Sequence, residues 1–277
     1  MKFLAALIIC FTLACSGQST IRQDELYSRH LQRKVQLTIM NTKLPDDKDS
    51  WNLLLLNDGN ELQQLGLAGI LDSMFKSGSI GPLIVVAIHA GDRMQEYGVS
   101  GKPDFTGRGS KADHYSSFIG NELIPFVTKK SGIRKFKNVA IAGMSLGGLS
   151  AFDVAWNNSS KIDKAGIFSG SFWWRDKDAA DKTYDNDKNR IVIQKIRASR
   201  KKPGQQFWFY AGQKEETSDR DGDGIIDVVD DTRDVVEALK NYRHFSPSDL
   251  QVIEAKEGQH DWPSWKKSFP AFLDWAF

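Results

Sequence analysis

The run Val139-Ala140-Ile141-Ala142-Gly143-Met144-Ser145-Leu146-Gly147-Gly148-Leu149-Ser150-Ala151-Phe152 constrains this chain more than any other stretch. A short apolar segment leads into a serine flanked by glycines, and helix-forming residues follow at once. This is the G-x-S-x-G nucleophile-elbow pattern, a sharp strand-to-helix turn that holds a serine hydroxyl up at the edge of a sheet. The residue types follow from that geometry. Where strand and helix approach each other, Gly143 and Gly147 carry no Cβ to collide, and Gly148 widens the clearance. The helix start beside Ser145 offers free N–H groups and a positive dipole end to negative charge building up there. A five-letter pattern by itself is only a glycine-rich turn, but here the strand, turn and helix signals are all present.

The rest of the chain reads as the sheet that such a turn needs. Val35 to Met40 alternates as a strand with one exposed face, while Trp51 to Leu56 and Pro82 to Ala90 are continuous apolar runs, as in strands covered on both sides. Asn57-Asp58-Gly59-Asn60 is turn chemistry, and Glu61 to Phe75 has helical spacing. Gly91 to Ala112, which includes Asp92-Arg93, is a long polar loop of the kind that shapes binding sites. Asp113 to Val127 is an amphipathic helix that Pro125 should bend or shorten, with His114 as a helix-end or surface residue. Strands at Ala165 to Phe168, Gln206 to Gly212 and Leu250 to Ala255 follow, with helices at Val235 to Tyr242 and Trp262 to Phe277. The lysine-rich Arg175 to Lys202 reads as a solvated face with one helical piece near Ile191 to Ile196. Alternating buried strands and amphipathic helices predict an α/β fold, a mostly parallel sheet with helices on both faces.

Composition adds exclusions. In 277 residues the formal net charge is only +2 and there is no long basic run, so neither nucleic acid nor an anionic membrane surface is indicated as a partner. Met1 to Gly17 has a basic start, a short apolar run and a small-residue break, which is the form of an export signal rather than a membrane span. Leu13-Ala14-Cys15 further resembles a lipoprotein signal, giving residues 1–14 as signal and Cys15 as a lipidated first mature residue, with plain secretion as the alternative. Residues 15–30 then read as a polar tether and 31–277 as one domain. That domain holds no cysteine pair, so its stability comes from the core, helped by any metal it holds.

A serine hydroxyl is a weak nucleophile and needs a histidine base oriented by a carboxylate, which in this fold come in the order serine, acid, histidine. Only His244 and His260 follow Ser145, and His260, directly after the last strand, has the position of the base. After Gly212 the loop offers Glu215, Glu216 and Asp219, with Glu215 the first choice for the acid and Glu216 close behind. The oxyanion hole is expected from the backbone N–H of Leu146 and one from the loop after Leu56, at Asn60.

Four stretches, Gly143 to Gly148, Asn121 to Phe126, Ser169 to Trp174 and Gln259 to Trp262, together resemble the putative-esterase family of α/β-hydrolases. That family includes feruloyl and acetylxylan esterases, enterochelin esterases, S-formylglutathione hydrolases and mycolyl transferases. The resemblance runs from about Val35 to the C-terminus and implies a serine esterase with Ser145, His260 and Glu215 as triad, which the N-terminal signal would make an exported one. The substrate would be a small-molecule or carbohydrate-linked ester. Two departures stand out: Asp58 replaces the histidine common before the oxyanion-loop glycine, and the acid is Glu where many members have Asp. An acyltransferase using the same residues, or a surface lipoprotein that keeps the scaffold for binding, are the alternatives.

A second constellation is Asp219-Arg220-Asp221-Gly222-Asp223-Gly224-Ile225-Ile226-Asp227-Val228-Val229-Asp230. Its spacing matches an EF-hand calcium loop, with side-chain ligands at Asp219, Asp221, Asp223, Asp227 and Asp230, a carbonyl at Ile225, and Gly224 at the sharp turn. There is no room for an entering helix, and Asp230 is shorter than the usual Glu. The expectation is a solitary structural Ca²⁺ site that stiffens the segment carrying Glu215.

Overall fold

The computed structural model describes residues 19–42, 50–200 and 204–277; the segment read above as an export signal, with Cys15, lies outside them. Eight strands form one sheet: β1 (Thr20–Ser28), β2 (Arg33–Asn41), β3 (Asn52–Leu56), β4 (Leu83–Ile88), β5 (Val139–Met144), β6 (Lys164–Phe168), β7 (Gln206–Gly212) and β8 (Leu250–Ala255). Their spatial order is β1-β2-β4-β3-β5-β6-β7-β8. Strands β3 to β8 run parallel, and only the β1–β2 and β2–β4 pairs are antiparallel.

Because side chains alternate along a strand, each central strand feeds two cores. Leu53 and Leu55 of β3 join the same cluster as Ile141 of β5 and Phe209 of β7, under helices Leu146–Asn157, Ile191–Ala198 and Asp227–Arg243. Leu54 and Leu56 join Ala142 and Tyr210 on the other face, under helices Leu67–Ser77 and Trp262–Ala276. Helices therefore cover both faces, as the apolar runs require.

The structure corrects several sequence boundaries. The expected tether is not one: Thr20 to Ser28 is β1, paired residue for residue with Asn41 to Arg33. Most of its side chains are exposed, so it carries no apolar stripe, and its charges suit a sheet edge. The expected Glu61–Phe75 helix is broken at Gly66, whose φ is +62°, and the one expected over 113–127 contains a π turn at Ile119–Leu123, just ahead of Pro125. Proline lacks the N–H that would close the regular bond to Asn121, so the ladder shifts there. The Val235–Tyr242 helix begins earlier, at Asp227. The 175–202 segment is not wholly solvated. Arg190 is buried and bonds Asp231 at 2.7 Å and Asp234 at 2.6 Å, while Ile191, Val192, Ile193 and Ile196 pack in the core.

Candidate active site

Ser145 sits at the end of β5 with φ 55° and ψ −123°, a strained backbone held because its surroundings over-determine it. Its N–H donates to the Phe168 carbonyl at 2.8 Å, and its own carbonyl caps the first turn of the next helix by accepting from Gly148 and Leu149. A Cβ on Gly143 would lie 2.2 Å from the Gly147 carbonyl oxygen, so the turn closes only around glycine. These contacts put the Ser145 hydroxyl at the carboxyl ends of the parallel strands, where open α/β sheets bind ligands.

The loops after the neighbouring strands converge on it. His260, after β8, has Nε2 3.0 Å from Ser145 Oγ and Nδ1 2.8 Å from Glu215 Oε2, after β7. The tautomer consistent with this chain has Nδ1–H donating to the carboxylate and Nε2 accepting the serine proton. The loops bearing Glu215 and His260 touch through backbone: a Cβ on Gly212 would lie 2.4 Å from the Gly258 carbonyl oxygen. The Glu215 side chain is 1% exposed and that of His260 41%, so the acid is enclosed while the imidazole meets the cleft. Besides His260, Glu215 accepts from Gly212 N–H and Ser169 Oγ–H, both at 2.6 Å. Ser169 in turn accepts from the Trp265 indole N–H at 2.8 Å, and the Trp265 ring meets His260 edge to face at 5.2 Å. Glu216 points elsewhere. Its Oε1 accepts from Val228 N–H at 2.8 Å, at the start of the Asp227–Arg243 helix, and burial raises its pKa above the ordinary value.

A cleft of about 290 Å³ opens at Ser145, bounded by Asn60, Arg93, Met144, His260 and Trp262 among others. Asn60 thus shares the cleft with Ser145, and Leu146 follows that serine as the first helical residue. Asp58 is 5% exposed at φ 57° and receives Arg93 Nε at 2.6 Å and Nη2 at 3.0 Å. Burial raises the Asp58 pKa despite the opposing pull of Arg93. Of the two loop tryptophans, Trp174 is core, its indole donating to the Lys102 carbonyl at 3.2 Å. Trp173 is half-buried, with the Arg108 guanidinium 5.1 Å from its ring centre.

In the acidic loop, Asp219, Asp221 and Asp223 each offer a carboxylate oxygen within 4.8 Å of the others. Gly222 and Gly224, both at positive φ, donate their N–H groups to Asp219. Asp230 lies close enough that, after burial, Asp223 and Asp221 raise its pKa to about 6. Asp227 is occupied differently, accepting from the Arg220 N–H at 2.8 Å and pairing with its guanidinium. Ile225 and Ile226 pack against the small core of Ala211, Val228 and Val229.

Sequence reasoning assigned no role to Ser169, Trp265 or Arg93. Ser169 carried a usable signal, standing immediately after a buried strand next to the elbow; the other two come close only through the tertiary fold.

The class that this fold defines is the α/β-hydrolase. Residues 28–276 match the family model described as "Putative esterase", and the chain belongs to that family of carboxylic-ester hydrolases. Among solved structures it is similar to a ferulic acid esterase, with 19% identity, TM-score 0.67 and coverage of 94% of this chain and 98% of that one. It is also similar to the siderophore hydrolase EstB from Aspergillus nidulans, at 17% identity, TM-score 0.70 and coverage of 99% and 98%. The enterochelin esterase from Shigella flexneri matches at 18% identity and TM-score 0.71 over 92% of this chain, which spans only 57% of that longer protein. At these identities the likeness is one of fold.

Proposed function

We propose that this protein is an exported serine esterase in which Ser145 is the nucleophile, His260 the general base and Glu215 the orienting carboxylate. The observation that supports this most is the unbroken hydrogen-bonded chain from Ser145 Oγ through the imidazole to a buried carboxylate, at 3.0 and 2.8 Å. In this reading Ser145 Oγ adds to the ester carbonyl as its proton passes to His260 Nε2, and the imidazolium is held by Glu215. The backbone N–H groups of Leu146 and Asn60 receive the oxyanion. Collapse expels the alcohol with the proton from His260, and water, activated by the same imidazole, releases the acid from Ser145. The substrate is a small-molecule or carbohydrate-linked ester. The names of the fold neighbours make feruloyl esters and catecholate siderophores the first to try. Export, with lipidation at Cys15, is part of the proposal.

The acidic loop is proposed to hold a structural Ca²⁺. Its donors are all hard oxygens, which suit that ion: carboxylates of Asp219, Asp221, Asp223 and Asp230, with the Ile225 carbonyl, while Asp227 stays paired with Arg220 instead of completing the set as the spacing predicted. Its role is to stiffen the segment joining Glu215 to the Asp227–Arg243 helix.

The test is turnover of p-nitrophenyl acetate, methyl ferulate and a catecholate siderophore by the wild type and Ser145→Ala, alongside labelling by a fluorophosphonate. Loss of turnover and labelling in the variant supports the esterase; product carried to an added alcohol in preference to water would make it an acyltransferase. A wild type that neither turns over nor labels would overturn the reading in favour of a binding protein.

A further inference from the structure

We infer that Arg93 is a positioning residue for the oxyanion hole, acting by cancelling and clamping the buried carboxylate of Asp58; this rests on the esterase reading above. Asp58 occupies an awkward place for an acid. A Cβ added to Gly147, in the first turn of the helix that follows Ser145, would lie 2.5 Å from Asp58 Oδ2, so the carboxylate packs against that turn. It is one residue from Gly59 and two from Asn60. An uncompensated negative charge there would oppose the charge that develops on the carbonyl oxygen during ester attack, in a site where burial weakens solvent screening.

Arg93 supplies the compensation. Its side-on pair to Asp58 uses Nε and Nη2, and Nη2 also lies 3.5 Å from the carbonyl oxygen of Met144, the residue before the nucleophile. The guanidinium stacks over the Tyr97 ring at 5.4 Å, and the Tyr97 hydroxyl accepts the Asp58 N–H at 3.0 Å, so both ends of Asp58 are gripped by one short segment after β4. The flanking residues are fixed too. Asn57 donates to the Gly147 carbonyl at 2.8 Å, and a Cβ on Gly59 would lie 2.7 Å from the Ala87 carbonyl carbon. The loop that carries Asn60 is thus tied to the elbow on one side and to the Arg93 segment on the other. A lysine would deliver the charge without the two-point grip.

The experiment compares Arg93→Met, Arg93→Lys, Asp58→Asn and the double Asp58→Asn/Arg93→Met on an ester that the wild type turns over, with melting curves for each. For Arg93→Met, kcat is expected to fall on the order of 100-fold, the scale of losing an oxyanion donor, with KM within about threefold. Affinity for an arylboronic acid, which mimics the tetrahedral anion, should fall in parallel. Arg93→Lys should be intermediate. The double variant should regain about tenfold over Arg93→Met, because no charge is left to cancel. Should Arg93→Met fail to fold, the double variant is compared with Asp58→Asn alone, and the two should agree in kcat within about threefold. A loss confined to KM, boronate affinity that does not move with kcat, or a double variant slower than both singles would overturn the inference. An inactive wild type would instead overturn the esterase reading beneath it.

Discussion

Glu215 and Glu216 are adjacent, carry the same side chain and differ entirely in what they touch. The first faces His260, Ser169 and the Gly212 N–H; the second reaches the opposite way to the Val228 N–H. Glu215→Gln is therefore expected to lower kcat by roughly 10³-fold or more with little change in KM, since an amide in that place favours the wrong imidazole tautomer. Glu216→Ala should leave kcat within about twofold and lower stability by ~1 kcal/mol, as expected on removing a helix cap. Steady-state kinetics and thermal melts on both variants separate the two roles. Sequence alone reached this pair and put Glu215 first, with Glu216 close behind. Which neighbour turns inward is decided by how the Gly212 turn docks on Gly258, a contact between loops that are distant in the chain. That Ser145 and His260 would meet was legible for the opposite reason: the elbow is a local pattern, and His260 stands directly after the last strand.

At the scale of elements, what the sequence concealed was the edge. Strand β1 has no buried stripe to announce it and is held by its neighbour's backbone and a few polar side chains. Thr38 of β2 donates to Gln23 of β1 at 2.9 Å, and His89, at the end of β4, bonds Thr38 at 2.9 Å. Burial holds the His89 imidazole below its ordinary value, so the folded chain takes up this proton less readily than the unfolded one. The associated stability is present above about pH 6.5 and is lost as the pH falls below it. His89→Gln should accordingly flatten the fall in melting temperature between pH 7 and pH 5, a change that calorimetry would read directly. The acidic loop makes a separate prediction. Millimolar Ca²⁺ should raise the melting temperature by a few degrees, as a weak extracellular-type site would. EDTA should reverse the shift, and Asp223→Asn should abolish it. No calcium-dependent shift in the wild type would remove the metal from the account.

Over the whole molecule, the groups that line the cleft come from the ends of parallel strands and from the loops and helices that follow them, and the two cores behind those strands keep the ends in register. The continuous apolar runs made the sheet readable in outline. The junctions between loops were not readable, because contacts such as Asp58 with Arg93 or Ser169 with Trp265 join loops or elements well separated along the chain. The terminal helix shows how far site and fold are the same object. Trp265, Phe269, Phe272 and Leu273 are buried against the sheet, and the same helix delivers the indole that bonds Ser169. Ending the chain after Gly258 should therefore abolish fluorophosphonate labelling and also remove a well-defined near-ultraviolet circular dichroism spectrum, since several large side chains lose their packing together.

That placement has a consequence in time. Ser145 is made 115 residues before His260, with Trp265 later still. Over the interval between them, the growing polypeptide carries the Ser145 hydroxyl with neither the His260 imidazole nor the Trp265 indole made. The hydrogen-bonded array of the folded cleft is therefore a late product of synthesis, and a chain stopped between the two stretches has the serine turn without its imidazole partner.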